Sequence, residues 1–411
     1  MKTLVVGGGI GGLAAALACA RAGTRVELFE RAPEFSEVGA GIQLGPNVVS
    51  VLHGWGLQDA LEGVASFPAR LQVRSANTGK ELGLLRLGAE MHARYGFPYA
   101  TIHRADLHAL LLEAVQLQSQ AQLHIGSAVD RFLQHDGGVD VHLADGRVAH
   151  GDLLVGADGL WSQVRQQLLH DGMPHATGHL AYRALVPQSS LPERLRSQQV
   201  TAWLGPRLHV VQYPVRRGEW LNVVAIVHGQ VASDAENWNH SANALELVRL
   251  LGATCSPLQD LVQAIAHWRL WALSIRAPMR GAHEQAQGRV ALLGDAAHPM
   301  LPYLAQGAGM AIEDAGELGQ LLDDRASGQA RAFSREDLPA MLARYGARRW
   351  QRNARVQARA IRNGTIFHAI GPLCWGRDAA MKLLGERLLD LPWLYRGPFS
   401  ARRQPDLGRA A

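Results

Sequence analysis

Five glycines fall within the six residues Gly7-Gly8-Gly9-Ile10-Gly11-Gly12. Gly7, Gly9 and Gly12 satisfy the pattern G-x-G-x-x-G. In that pattern the first glycine permits a tight turn, and the second lets backbone approach a pyrophosphate. The third lets a helix pack on a strand with its positive end toward the phosphates. Glu30 lies 18 residues past Gly12, at a strand end, where a carboxylate can accept hydrogen bonds from ribose hydroxyls. Together these residues point to a bound dinucleotide. They do not distinguish FAD from NAD.

Three further segments carry groups suited to chemistry. Gly151 to Gly159 ends in Asp158-Gly159 and leads to Ser162 and Arg165. Arg289 to Pro299 contains Gly294-Asp295 and leads to Gln306-Gly307-Ala308-Gly309. Taken singly, each Asp/Gly pair is an ordinary turn; in this order after the glycine loop, they look like parts of one nucleotide site. His209 and Tyr213 stand four apart in a strand-like stretch, so both project from one face of a sheet.

The elements that must position these groups follow from pattern. Thr3–Val6 suits a buried parallel strand. Leu13–Ala22 suits a helix and Arg25–Phe29 a second strand, the size of a βαβ unit. A helix is expected over His103–Leu117 and a strand over Gln122–Phe132. A hairpin of Gly138–Leu143 and Arg147–Val155 is expected to turn at Asp145-Gly146. From Ala181 to Val227 strands alternate with turns at Gly205-Pro206 and Arg217-Gly218. An apolar strand follows at Val290–Leu293, a helix from about Gly307, and an arginine-rich helix over Leu338–Asn363. The predicted fold is α/β: a Rossmann-type dinucleotide-binding domain, which the resemblance described below makes an FAD-binding domain, interrupted by a mainly antiparallel β-sheet domain that the same resemblance makes the substrate domain, with a helical C-terminal part. Its expected boundaries are 1–70, 100–180 and 280–335 for the first, 71–99 and 181–279 for the second, and 336–411 for the third.

Composition narrows the class. The 411 residues are 47% hydrophobic and 19% charged, as in a globular protein. A formal charge of +5 without a nucleic-acid motif speaks against a nucleic-acid binder. Cys19, Cys255 and Cys374 are far apart, with no CxxC pair and no zinc spacing, which fits reduced thiols in the cytoplasm and excludes a disulfide oxidoreductase. The apolar run from Leu4 to Ala20 imitates a signal peptide, but its glycines would break the helix such a segment forms. No stable membrane insertion is expected. Arg344, Arg348, Arg352, Arg355, Arg359 and Arg362 make one helical stripe, read as a solvated or internally paired face. A homodimer is compatible with the sequence, as is a monomer.

The three ordered motifs resemble those of the class A flavoprotein aromatic hydroxylases. That family includes salicylate hydroxylase, 3-hydroxybenzoate 6-hydroxylase and 6-hydroxynicotinate 3-monooxygenase, and the resemblance runs from residue 1 to about 365. It implies resident FAD and NADH or NADPH as a transient co-substrate, for which no second G-x-G-x-x-G exists. It also implies hydroxylation of a small phenolic or hydroxylated heteroaromatic acid by dioxygen through a flavin C4a-hydroperoxide. By the same resemblance Asp295 meets the ribityl chain, and the Gly307–Ala308 amides face the flavin. Arg104 contacts FAD phosphate, with Glu30 and Arg31 beside the nucleotide. Asp158 lies between the FAD and nicotinamide paths, and Gly39 to Asn47 runs beside the flavin. His209 and Tyr213 are the expected catalytic pair at a substrate phenol, whose ionisation near pH 10 calls for a base. Gln43, Arg183, Pro302 and Tyr303 are expected in the substrate pocket. Two of these depart from relatives: Gln43 replaces a histidine, and Leu301-Pro302-Tyr303-Leu304 lacks a polar residue found there in others, so substrate identity stays open. A flavin halogenase is disfavoured because Trp268-Arg269-Leu270-Trp271 has the wrong spacing for W-x-W-x-I-P. An oxidase and a non-catalytic binding protein on the same fold remain as alternatives.

Overall fold

A computed structural model describes residues 1–35, 40–229, 240–242, 244–323 and 334–398. The chain forms two units, Met1–Val38 with Arg104–His175 and Ser274–Arg362, and Gly39–His103 with Ala176–Leu273 and Asn363–Ala411.

The first unit is built on a six-stranded sheet. Its order is Ala286–Gln287, Val290–Leu292, Leu153–Gly156, Lys2–Val6, Arg25–Phe29 and Ala121–His124, parallel except for the first strand. All four residues of Leu153–Gly156 are buried, as a strand covered on both faces requires. One covering layer contains helix Ile10–Arg21, whose sequence IGGLAAALACAR is small and apolar nearly all round. That lets helix Gly307–Leu322 pack close: a Cβ at Gly319 would press on Ala18. The other layer is the antiparallel sheet of Val129–His135, Gly138–Leu143 and Val148–Gly151. Its Phe132, Val139, Val141 and Leu143 share a core with Leu4, Val6, Leu154 and Leu292.

The second unit is an eight-stranded sheet in which Trp268–Ile275, His175–Pro187, Trp220–His228, Leu208–Val215, Val200–Gly205, Arg70–Ser75 and Glu81–Arg86 follow one another. Helices Ala244–Leu251 and Ser256–Gln263 cover one face, burying Tyr182, Trp203, Val210, Val223, Ala225 and Trp268. Along Leu208–Val215, the period of two sends Leu208 and Val210 to that core and His209, Val211 and Tyr213 to the opposite face.

Several boundaries differ from expectation. The strand expected over Gln122–Phe132 is two strands in two sheets, separated at Gly126, whose φ of +61° turns the chain. Arg147–Val155 likewise divides: Val148–Gly151 finishes the hairpin, and Leu153–Gly156 enters the parallel sheet. Between them, Asp152 is held by the Lys2 backbone N–H at 2.7 Å. Residues 39–70, expected with the nucleotide domain, group with the second unit. There Gly41–Leu44 pairs with Ala100–His103, and the Gly41 N–H donates to Asn222. The expected C-terminal region is shared, 336–362 with the first unit and the remainder with the second. Gly39 and residues 399–411 lie outside the described residues.

Candidate flavin and substrate sites

The glycine loop is shaped by backbone constraints. Gly7 has φ +104°, a conformation side chains resist, and a Cβ on it would strike the Ala157 carbonyl. A Cβ on Gly12 would fall on the Gly7 carbonyl oxygen. Gly9 begins helix Ile10–Arg21 with no side-chain cap. The bare N-terminal amides and the helix dipole make a seat for a pyrophosphate. Glu30 accepts hydrogen bonds from the Gly8 N–H at 2.6 Å and the Ala32 N–H at 2.8 Å. It therefore braces the loop, and each carboxylate oxygen keeps a lone pair for a further donor. Arg31 is exposed beside it. Arg104 opens helix Arg104–Gln116. One turn on, His108 is hydrogen-bonded to the Gly8 carbonyl at 2.8 Å, which docks this helix start on the loop. His108 was not foreseen; its spacing of four from Arg104, on one helical face, was the available signal.

The two aspartate motifs are physically tied. Asp158 accepts from Ser162 Oγ at 2.5 Å, Gln163 N–H at 2.8 Å and Val164 N–H at 3.2 Å, so it caps helix Gln163–Leu169. Burial pushes its carboxyl up against the pull of those donors. From that helix Arg165 donates to the Ala296 carbonyl at 3.1 Å and to the Ala297 carbonyl. The second motif thus holds the turn that presents Asp295. Asp295 is open to solvent, yet surrounding protein raises its carboxyl above the usual range, opposed by Arg104 and His298. A Cβ at Gly307 would sit 3.9 Å from Asp295 Oδ1, so the start of helix Gly307–Leu322 adjoins it. That start is uncapped by a side chain, and Gly307 and Ala308 leave its amides uncovered.

The turn that carries Asp295 rests on a buried ionic network, to which the Gly294 N–H donates at Asp314 Oδ2. Arg349, fully buried, donates to Asp314 Oδ1 at 2.6 Å and Glu313 Oε2 at 3.0 Å, and His298 Nε2 meets Asp314 Oδ2 at 2.5 Å. Burial alone would raise Asp314, but His298 and Arg349 hold its carboxyl well below the usual range. In the arginine stripe, Arg348 pairs with Glu317 and Arg352 with Glu313, while Arg344, Arg355 and Arg362 are exposed. Arg349, one residue off the stripe, is the buried member that periodicity did not single out.

In the second unit, Arg183, His209 and Tyr213 share the face opposite the helices. The Arg183 guanidinium lies 3.5 Å from the centre of the Trp271 ring, and its charge is felt by Tyr213. Tyr213 is hydrogen-bonded to Gln43, which also accepts from Tyr99 Oη at 2.6 Å. Burial keeps the Tyr213 phenol far above its ordinary pKa, so it is a donor and not a base. A Cβ at Gly41 would collide with the Tyr213 ring, so glycine there lets the loop approach. His209 is 2% exposed, and burial brings its imidazole down to about 3. Its Nδ1 lies 2.8 Å from His368 Nε2. Residues four apart on a strand stand about 13 Å apart along it. The two side chains therefore share one face with their backbones well separated along the strand. Pro302 and Tyr303 belong to the first unit, in the short turn before helix Gly307–Leu322; burial raises the Tyr303 phenol.

The FAD binding domain family matches residues 1–360. The chain belongs to this family. It is 37% identical over 398 residues to a 3-hydroxybenzoate 6-hydroxylase of Polaromonas naphthalenivorans, with 96% of each chain covered. It is 35% identical to a 6-hydroxynicotinate 3-monooxygenase of Bordetella bronchiseptica, over 94% of this chain and 97% of that one. HpxO of Klebsiella pneumoniae, solved with FAD and uric acid, matches with a TM-score of 0.83 and 27% identity over 97% of this chain and 98% of that one. The protein is a FAD-dependent monooxygenase, and a reduced nicotinamide is its co-substrate. The halogenase, oxidase and non-catalytic alternatives find no support. Among the described residues, no helix is long and apolar enough to cross a membrane.

Proposed function

We propose that this flavoprotein hydroxylates the ring of a small aromatic acid that already bears a ring hydroxyl, as the names of its hydroxybenzoate and hydroxynicotinate relatives suggest. The observation that carries the proposal is the polarity of one sheet face. Tyr213, a protonated phenol that feels the charge of Arg183, stands at one end of strand Leu208–Val215, and the two suit a carboxylate; the neutral imidazole of His209 stands toward the other end, with Arg183 at the level of Val211 between them. A ring with an acid group on one side and a hydroxyl on the other fits that order. Gln43 orients Tyr213. In the first unit Tyr303, beside Pro302, remains a donor.

In the first unit, the proposed FAD ligands are the amides of Gly7, Gly9 and Gly12, with Glu30, Arg31 and Arg104 at the nucleotide. Asp295 takes a ribityl hydroxyl, and Gly307 and Ala308 offer amides to the ring's anionic edge. Asp158 acts through the turn it braces. Bound FAD, reduced by NADH or NADPH, supplies activated oxygen derived from dioxygen. The chain's own part is to orient the ring, exclude water and remove the phenol proton, since a phenolate is the better nucleophile toward that electrophilic oxygen. His209 Nε2 accepts the phenol proton while its Nδ1 N–H stays donated to His368 Nε2, a hydrogen bond that stabilises the transient imidazolium. Three separate free cysteines fit the cytoplasm; a monomer and a homodimer both accord with this reading.

The test separates coupling from folding. His209→Ala should keep FAD while lowering hydroxylation by about 10²–10⁴. NADH oxidation should fall less, the difference appearing as hydrogen peroxide, and raised pH should restore part of the product. A His209→Ala enzyme with normal turnover and tight coupling would remove His209 from the reaction.

A further inference from the structure

Four histidines gather at one end of the second unit's sheet. His179 and His228 are direct cross-strand partners on strands His175–Pro187 and Trp220–His228, with ring centres 4.5 Å apart. His368 follows helix Leu338–Phe367, and its ring centre lies 5.1 Å from each of them. Its backbone is fixed on both sides: its N–H donates to the Gly364 carbonyl, and its carbonyl accepts from the Arg207 N–H. His209 stands behind it.

We propose that His179, His228 and His368 bind a single divalent transition-metal ion, of which zinc is the representative. One ring nitrogen from each lies within 4.8 Å of the others, and His368 Nδ1 is 3.0 Å from His228 Nε2. Two imidazole nitrogens on a tetrahedral zinc at about 2.0–2.1 Å are themselves about 3.3 Å apart. The cluster therefore needs only a small closing motion, and exposed His228 is free to make it at the surface. Neutral nitrogen donors without a carboxylate select zinc, nickel or copper over magnesium or calcium. Three ligands leave a further position for water. The second shell is also present: His368 Nε2, at 2.8 Å from His209 Nδ1, is the kind of contact that orients a metal-bound imidazole. Two cations stand near. Arg377 is held by Asp378 and the Phe367 carbonyl, and Arg207 is exposed to screening solvent, so they weaken the site without blocking it.

Occupancy has a consequence that rests on the proposed role of His209. A metal on His368 Nδ1 leaves the proton on Nε2, which then donates to His209 Nδ1. His209 must then carry its own proton on Nε2, where it can donate but not accept. Zinc would thus turn the base into a donor and uncouple the enzyme.

The experiment uses tag-free holoenzyme stripped with EDTA and dialysed against zinc at neutral pH. One zinc per chain is expected, and His228→Ala and His179→Ala should each weaken it by more than about tenfold. His150→Ala, an exposed histidine beside Asp140 in the other unit, should leave it unchanged. Absence of stoichiometric zinc, or zinc retained undiminished in both variants, would overturn the site. Zinc should also lower product per NADH in the wild type and not in His228→Ala. Binding that requires His228 with coupling unaltered would leave the site standing and remove His209 as the base.

Discussion

Acidification from about pH 7.5 to about pH 5.5 should destabilise the second unit through two buried imidazoles. Burial is the main cause holding His209 at about 3 and His368 at about 2, with the neighbouring histidines adding to it. In the unfolded chain both titrate near pH 6.5. Below that value the unfolded chain takes up protons that the folded chain refuses, so stability falls as pH drops through the unfolded value. At pH 5.5 each site contributes RT ln(1 + 10), about 1.4 kcal/mol, against almost nothing at pH 7.5, and the pair about 3 kcal/mol. That is a large part of a typical stability of about 5–15 kcal/mol. Urea unfolding followed by tryptophan fluorescence, with EDTA present, reads the quantity at each pH. His368→Gln should remove roughly half of the pair's share of the acid sensitivity, and His209→Gln with His368→Gln all of that share, leaving what His179 and His228, also lowered by burial, contribute. A double variant as acid-sensitive as the wild type would refute the reasoning.

Asp295→Ala should weaken FAD by about 1–3 kcal/mol, read as a rise of about five- to 150-fold in its dissociation constant; an unchanged constant would make Asp295 a turn residue only. Arg349→Met leaves Glu313 and Asp314 buried without their shared cation and should cost about 3–5 kcal/mol in chemical denaturation. A loss below about 1 kcal/mol would show that the network relaxes easily.

The nucleotide-binding unit was legible where local rules act alone. The glycine spacing, the strand Arg25–Phe29 and the start of helix Gly307–Leu322 all express backbone constraints that neighbouring residues determine. The breaks at Gly126 and Asp152 were not legible, because the apolar pattern continues while the chain changes sheet. The arginine stripe illustrates the same limit. Periodicity groups the six arginines of one face, yet the residue that enters the core is Arg349, chosen by the acids Glu313 and Asp314 on another helix. At the proposed substrate face, the alternation of Leu208–Val215 placed His209 and Tyr213 together correctly on one side. What it could not supply was His368, 159 residues away from its partner His209, or the close approach of Gly41 to Tyr213. Long-range contacts of this kind depend on the assembled sheet and leave no local signature.

The central claim is that a reduced nicotinamide and dioxygen are used to place a hydroxyl on an aromatic acid. Its most direct test is a reaction of purified holoenzyme with NADH, a panel of hydroxybenzoates and hydroxynicotinates, and isotopically labelled dioxygen, analysed by product mass. The account predicts that one panel member accelerates flavin reduction and yields a product with a single added oxygen, labelled from dioxygen, in proportion to the NADH not recovered as peroxide. An unlabelled hydroxyl, or peroxide alone with no hydroxylated product from any member, would contradict it.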